Sequence, residues 1–243
     1  KEQKDRKPLM MLGARQVGKT SVLKRFGREC FEHCVYFSLD EEAGVCDIFR
    51  TTKNPTQIIE QLSYLTDEPI LPEKTLLVLD EIQDCPEAIS SMKYFCEKTP
   101  EYAIACAGSL LGLAFGHEGF SFPVGKVDHI NMYPVTFSEF LEQKDSGLYR
   151  YYKSIDSIEP LPQVFFDRLS QAFTAYRISG GMPEAAMKMI EVDMKGVETK
   201  LQNILQDYTL DFVKHATPQL ANRISHLWNS LPSQLAKENR KFI

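Results

Sequence analysis

No apolar run in this 243-residue chain approaches the roughly 20 residues needed to span a bilayer. Nothing near its start resembles a secretory leader. A membrane protein is therefore not expected, and the cytoplasm is the expected location. The six cysteines form no regular framework, which argues against a disulfide-stapled secreted fold and for a reducing compartment. Internal repeats and low-complexity segments are also missing. There is no basic excess either: a net charge of −5 argues against a surface built as a nucleic-acid sleeve. The one cysteine-rich cluster is "CFEHC", with Cys30, His33 and Cys34, followed by Cys46. No structural zinc is expected there, because a tetrahedral site needs four converging ligands and Cys34 already opens the apolar run "CVYFSL".

What the chain does have is the composition of an ordinary globular protein, 43% hydrophobic and 25% charged. Short apolar runs at 8–12, 35–39, 75–80, 102–108 and 127–132 read as strands. Those at 75–80 and 102–108 are continuously apolar, as parallel strands buried on both faces would be. Helical patterns lie between them, from Lys19, over 56–65 and over 86–98. The alternation predicts an α/β fold with a doubly wound parallel sheet. After about residue 137 the strand signals stop, and helical spacing takes over at Phe165, Leu169, Ala172 and Tyr176, then from Val197 to Phe212. Residues 1–145 are thus expected to form the sheet-bearing core, 146–200 a helical lid, and 201–243 the start of a further region continuing past Ile243. The start at Lys1 rather than Met fits a fragment of a longer protein.

In that last region Leu220, Ile224 and Leu227 line one helix face with Trp228 beside them. "SLP" at 230–232 predicts a break before a second short helix over 233–239. That is a helix-turn-helix spacing, lacking the helix that would enter a groove. From Lys214 onward five Lys/Arg face one acidic residue, and Lys237, Arg240 and Lys241 would attract phosphate. DNA is accordingly a second expected partner, through this C-terminal region.

The chemistry concentrates in "MLGARQVGKTSVLKRF". Gly13, Gly18, Lys19 and Thr20 stand at G-x-x-x-x-G-K-T spacing, after an apolar strand and before a helix. The backbone N–H groups from Gly13 through Ala14, Arg15, Gln16, Val17 and Gly18 to Ser21 are placed to face phosphates. Lys19 would neutralise the β- and γ-phosphates, and Thr20 would ligate magnesium. "TLLVLDEIQ" supplies the complement. Asp80, at the end of a buried strand, suits the magnesium shell, and Glu81 suits polarisation of an attacking water. An acid in that position favours hydrolysis over GTP switching, and the D-x-x-G and N-K-x-D patterns of GTPases are absent, which leaves ATP. Ser109, ending the next strand, would sense the γ-phosphate or the water, or cap a turn.

These segments, with "AGSLLG", "SFPVGKV", "YPVTFSEFL", "GGMPEA", "DFVKHA" and "WNSLPSQLAKENRKF", resemble the prokaryotic AAA-type P-loop ATPases of the AAA_14/DUF4143 family, which are related to archaeal signalling ATPases. The resemblance implies an AAA+-like core with the roles above at Gly13, Gly18, Lys19, Thr20, Asp80 and Glu81. It also implies a winged-helix segment and a nuclease-like domain beyond. It places "GGMP" near the nucleotide, through Gly181 and Pro183. One departure bears on assembly. AAA+ rings complete a neighbour's site with an arginine that follows the strand ending here at Ser109, yet no arginine occurs between Arg50 and Arg150. Lys126 is the lone lysine between Ser109 and Tyr133, and Arg15 could touch nucleotide in cis. An oligomer is compatible with the sequence, but no trans arginine finger is found. The expected activity is Mg-dependent ATP hydrolysis driving a switch or motor step. A nucleotide-gated DNA-binding module with little turnover and a P-loop kinase stand as alternatives.

Overall fold

The computed structural model describes residues 5–109, 123–215 and 217–236. Contacts divide the chain into two units between Pro134 and Val135. The first carries five strands among its described residues: β1 (Leu9–Gly13), β2 (His33–Ser38), β3 (Thr75–Asp80), β4 (Ala103–Ser109) and β5 (Asp128–Met132). They form one sheet in the order β2-β3-β4-β1-β5, and every pairing is parallel. Every residue of β3 and β4 is buried, which is why both read as unbroken apolar runs rather than alternating ones.

Alternation along the strands separates two cores. Helix α1 (Lys19–Cys30) covers one face, where Leu23 packs with Met11, Leu76, Val78, Ala103, Ala105 and Ala107. Helices α2 (Ala43–Thr51), α3 (Pro55–Ser63) and α4 (Pro86–Lys98) cover the other, placing Phe49, Ile58, Leu62, Met92 and Phe95 against Leu77, Leu79, Ile104 and Cys106. Cys34 belongs to the first core and Cys46, whose Sγ donates to the Leu39 carbonyl at 3.4 Å, to the second. The two thiols therefore lie on opposite faces of the sheet, and Cys30 is exposed at the end of α1. Among the described residues no group of three or more His, Cys, Asp or Glu is placed to hold a metal ion.

The second unit is helical. Its elements are α5 (Phe137–Lys144), α6 (Ser146–Lys153), α7 (Gln163–Ser179), α8 (Pro183–Ile190), α9 (Met194–His215) and α10 (Pro218–Leu235). The division falls earlier than the composition shift suggests because of α5. A capping box between Thr136 and Glu139 starts that helix, Phe140 packs with Ala186 and Met189, and Leu141 packs with Leu148 and Ala172. Residue 200, expected as a boundary, lies inside the continuous α9.

The break expected at 230–232 does not occur. Helix α10 runs through Pro232 to Leu235, so the helix-turn-helix spacing is not what these residues form. Proline removes one donor from the ladder, and hydroxyls around it bond to nearby carbonyls. Ser230 Oγ donates to the Leu227 carbonyl at 2.7 Å and Ser233 Oγ to the Ser230 carbonyl at 2.8 Å. The Trp228 ring, on α10, packs between Tyr208 and Phe212 of α9 at centroid distances of 5.6 and 5.5 Å. The basic residues Lys237, Arg240 and Lys241 lie outside the described residues. Among the described residues no helix is long and apolar enough to cross a membrane.

Gly27 sets how closely α1 approaches the sheet. A Cβ there would collide with Cys34 Sγ, lie 2.8 Å from Cys34 Cβ and 3.4 Å from Leu76 Cδ2. In an open helix, alanine for glycine gains about 1 kcal/mol, but overpacking a filled interface costs about 1–3 kcal/mol. Gly27→Ala should therefore lower the denaturant midpoint with an unchanged m-value. A raised midpoint would show that α1 sits more loosely than described.

Candidate nucleotide-binding site

Parallel strands end together, so the register brings their C-terminal residues to one edge: Ser38 opposite Asp80, and Gly13 between Ser109 and Met132. The 13–20 loop lies at this edge. Gly13 must be glycine because a Cβ would run into the Met132 carbonyl oxygen of the neighbouring strand. Gly18 has φ 94° and Gln16 φ 58°, the left-handed turns that fold the loop back onto the start of α1. Gly18 caps α1 without any side-chain bond, so no side chain caps the helix N-terminus. Val17 is buried, with its side chain beside Gly13. Ala14 and Arg15 are half-buried, while Gln16 and Ser21 are exposed.

Lys19 is only 6% exposed, and its Nζ donates to the Ala14 carbonyl at 2.8 Å and the Gly13 carbonyl at 3.3 Å. Burial holds its ammonium below the ordinary lysine value. Glu81 and Asp80 pull the other way, and Arg15 adds a smaller depression. The cation, both acids and Arg15 thus share one electrostatic neighbourhood.

Asp80, also buried, collects three donors. Oδ2 accepts from Thr20 Oγ1 at 2.5 Å and from the Tyr36 hydroxyl at 3.1 Å, and Oδ1 accepts from the Glu81 N–H at 3.0 Å. Tyr36 is held by Lys24, whose Nζ lies 3.4 Å from the ring centroid. Burial, then the charge of Asp80, pushes the Tyr36 phenol up to about 12, so it remains a donor at neutral pH.

Glu81 leaves the strand in a left-handed conformation, φ 49°, which costs an ordinary residue about 1–2 kcal/mol. Its Oε2 accepts from Gln83 Nε2 at 2.5 Å, and Gln83 Oε1 in turn accepts the Ser109 N–H at 3.2 Å. One buried amide thus ties the Glu81 carboxylate to the end of β4. Neither Gln83 nor Tyr36 is singled out by sequence. Gln83 stands visible in "DEIQ", but nothing in its spacing names the Ser109 amide as its partner. Ser109 itself is buried, in register with Gly13.

Gly181 and Pro183 belong to the second unit. The Gly181 carbonyl accepts the Val135 N–H at 2.7 Å, and Pro183 opens α8 at its first position, where proline's missing N–H costs nothing. Lys126, the lone lysine between Ser109 and Tyr133, pairs with Glu97 of its own unit at 2.8 Å.

A glycine loop leading from a parallel strand into a helix, faced by an acid from the strand beyond β4, defines a P-loop α/β protein, and the strand order is that of the AAA+ class. The chain belongs to the AAA_14 family, an AAA domain, whose match runs over residues 5–141, more than half of its length. The winged-helix and DUF4143 parts of the resemblance lie beyond that match. Among solved structures it is similar to C. elegans PCH-2, at 12% identity and TM-score 0.43, covering 79% of this chain and 60% of that one. It is also similar to Drosophila ORC bound to DNA, at 11% identity and TM-score 0.46, covering 100% and 66%. A third is the replication initiator DnaA bound to AMPPCP and single-stranded DNA, at 16% identity and TM-score 0.42, covering 86% and 62%. The chain spans between 60% and 66% of the length of these solved chains. No curated protein matches it.

If the loop receives phosphate, Lys19→Ala should lower ATP affinity by roughly ten- to a hundredfold, the worth of a charged hydrogen bond. Titration calorimetry would read this directly. Unchanged affinity would remove the loop from the nucleotide site.

Proposed function

We propose that this chain binds Mg·ATP at the loop from Gly13 to Ser21 and hydrolyses it. The observation that carries the reading is the 2.5 Å hydrogen bond from Thr20 to Asp80, which joins the phosphate loop to an acid 60 residues away. The donor set fits magnesium: a hydroxyl and a carboxylate, both hard oxygens, lie beside a cradle that a Cβ at Gly13 would block. Thr20 and Asp80 would hold the ion, which when bound supplies positive charge to the phosphate oxygens. Lys19, now bonded to loop carbonyls, has an ammonium that would turn to the β- and γ-phosphates. Its burial makes that charge worth more than it would be in water.

Glu81 acts as the base in this reading. Its backbone turns it out of the strand, Gln83 fixes one carboxylate oxygen, and the other is left to take the proton of an attacking water. Because Gln83 also holds the Ser109 amide, a shift at the end of β4 would move Glu81. That coupling suits a protein whose hydrolysis drives a conformational step on a partner. The alternative of a gated DNA-binding module rests on the basic C-terminus, whose Lys237, Arg240 and Lys241 lie outside the described residues, and on the winged-helix resemblance. The continuous α10 removes only the helix-turn-helix spacing that went with it.

Glu81→Gln tests the reading. It should leave ATP affinity within about twofold and slow phosphate release by roughly 10²–10⁴-fold, the usual worth of a positioned base. Hydrolysis at the parent rate would move the base elsewhere. Tight Mg·ATP binding with no release by the parent protein, with or without added DNA, would favour a gate over an ATPase.

A further inference from the structure

Beyond the residues that any phosphate loop and its acidic strand supply, the sheet brings one more side chain to the metal-binding acid. Tyr36 stands opposite Val78 and Ser38 stands opposite Asp80, so Tyr36 is the diagonal neighbour of Asp80 across the β2–β3 ladder. A diagonal pair is too far apart for short side chains but within reach of a tyrosine. Its hydroxyl meets Asp80 Oδ2 at 3.1 Å, the same oxygen that accepts Thr20 Oγ1. The ring cannot easily swing away, because Lys24 on α1 presses its ammonium against one face at 3.4 Å. The helix that carries Thr20 to Asp80 therefore also clamps the residue that orients Asp80 from the other side.

We infer that Tyr36 is a positioning residue for the metal site: its hydroxyl fixes the rotation of the Asp80 carboxylate so that the carboxylate meets Mg²⁺ together with Thr20. A carboxylate held by Thr20 and the Glu81 N–H alone keeps one donor per oxygen and can rock about its Cβ–Cγ bond. A second donor on Oδ2 narrows that motion, and the reward appears only when the metal is present. This inference rests on the Mg·ATP reading above.

The test is calorimetric titration of ATP into parent and Tyr36→Phe protein, each with excess Mg²⁺ and with chelator. The phenylalanine ring keeps the packing and the Lys24 contact, and Tyr36 borders a cavity of about 370 Å³, so the variant need not strain the core. Metal-free ATP affinity should match the parent, while the affinity gained on adding Mg²⁺ should fall by about three- to tenfold, as expected for one lost hydrogen bond. In an Asp80→Asn background the same change should have no further effect on the metal-dependent gain. Two results would overturn the inference: an unchanged gain in Tyr36→Phe, or an equal loss in the Asp80→Asn background, which would assign the effect to general destabilisation. If the parent itself gains nothing from Mg²⁺, the Mg·ATP reading fails first and the inference with it. A parent that gains and a variant that gains equally would sink the inference alone.

Discussion

The hydrogen bond from Thr20 to Asp80 is the contact on which the candidate site depends, and most of the first unit can be understood as what makes it possible. Strand β3 is not the neighbour of β1. Strand β4 lies between them, so a residue just after the glycine loop can reach Asp80 only if α1 crosses the sheet. It does so low over the strands because Gly27 presents no side chain to Cys34 and Leu76. The small side chains Ala103, Ala105 and Ala107 on β4 leave room beneath it, with Leu23 filling what remains. Packing thus determines the geometry of two polar groups that have no other reason to meet.

Burying Lys19 and Asp80 at one strand edge is costly unless each is well partnered. Both are. Lys19 has two loop carbonyls, and Asp80 has donors from α1, from β2 and from its own following residue. Removing any one of these donors leaves charge that the surrounding apolar strands cannot solvate. The left-handed Glu81 adds a further cost, offset by the Gln83 bridge to β4. Such concentrated expense at the end of a sheet is typical of places where a protein holds groups ready for chemistry rather than for stability alone.

Much of this was legible in the sequence, and physical reasons separate what was from what was not. Strands β3 and β4 were visible because burial on both faces demands continuous apolar runs. The loop was visible because its glycines and lysine act through the backbone and through local spacing. Tyr36 and Gln83 were not, because their roles depend on strand register and on the turn after Asp80. Helix α2 was also missed: it is short, and its buried Val45, Cys46 and Phe49 are too few for a clear period. Pro232 misled in the other direction, since a proline with serine hydroxyls bonded to the carbonyls around it can remain inside a helix.

The central claim is that the glycine loop and the acidic strand end form one metal-dependent nucleotide site. A double-mutant cycle on Mg·ATP affinity, using Thr20→Val, Asp80→Asn and the pair together, tests it most directly. If the two side chains hold the same ion, either change alone should remove most of the metal-dependent gain, and the double variant should lose little more than the worse single. Losses that simply add would mean that Thr20 and Asp80 act independently, and the joined site would then be contradicted.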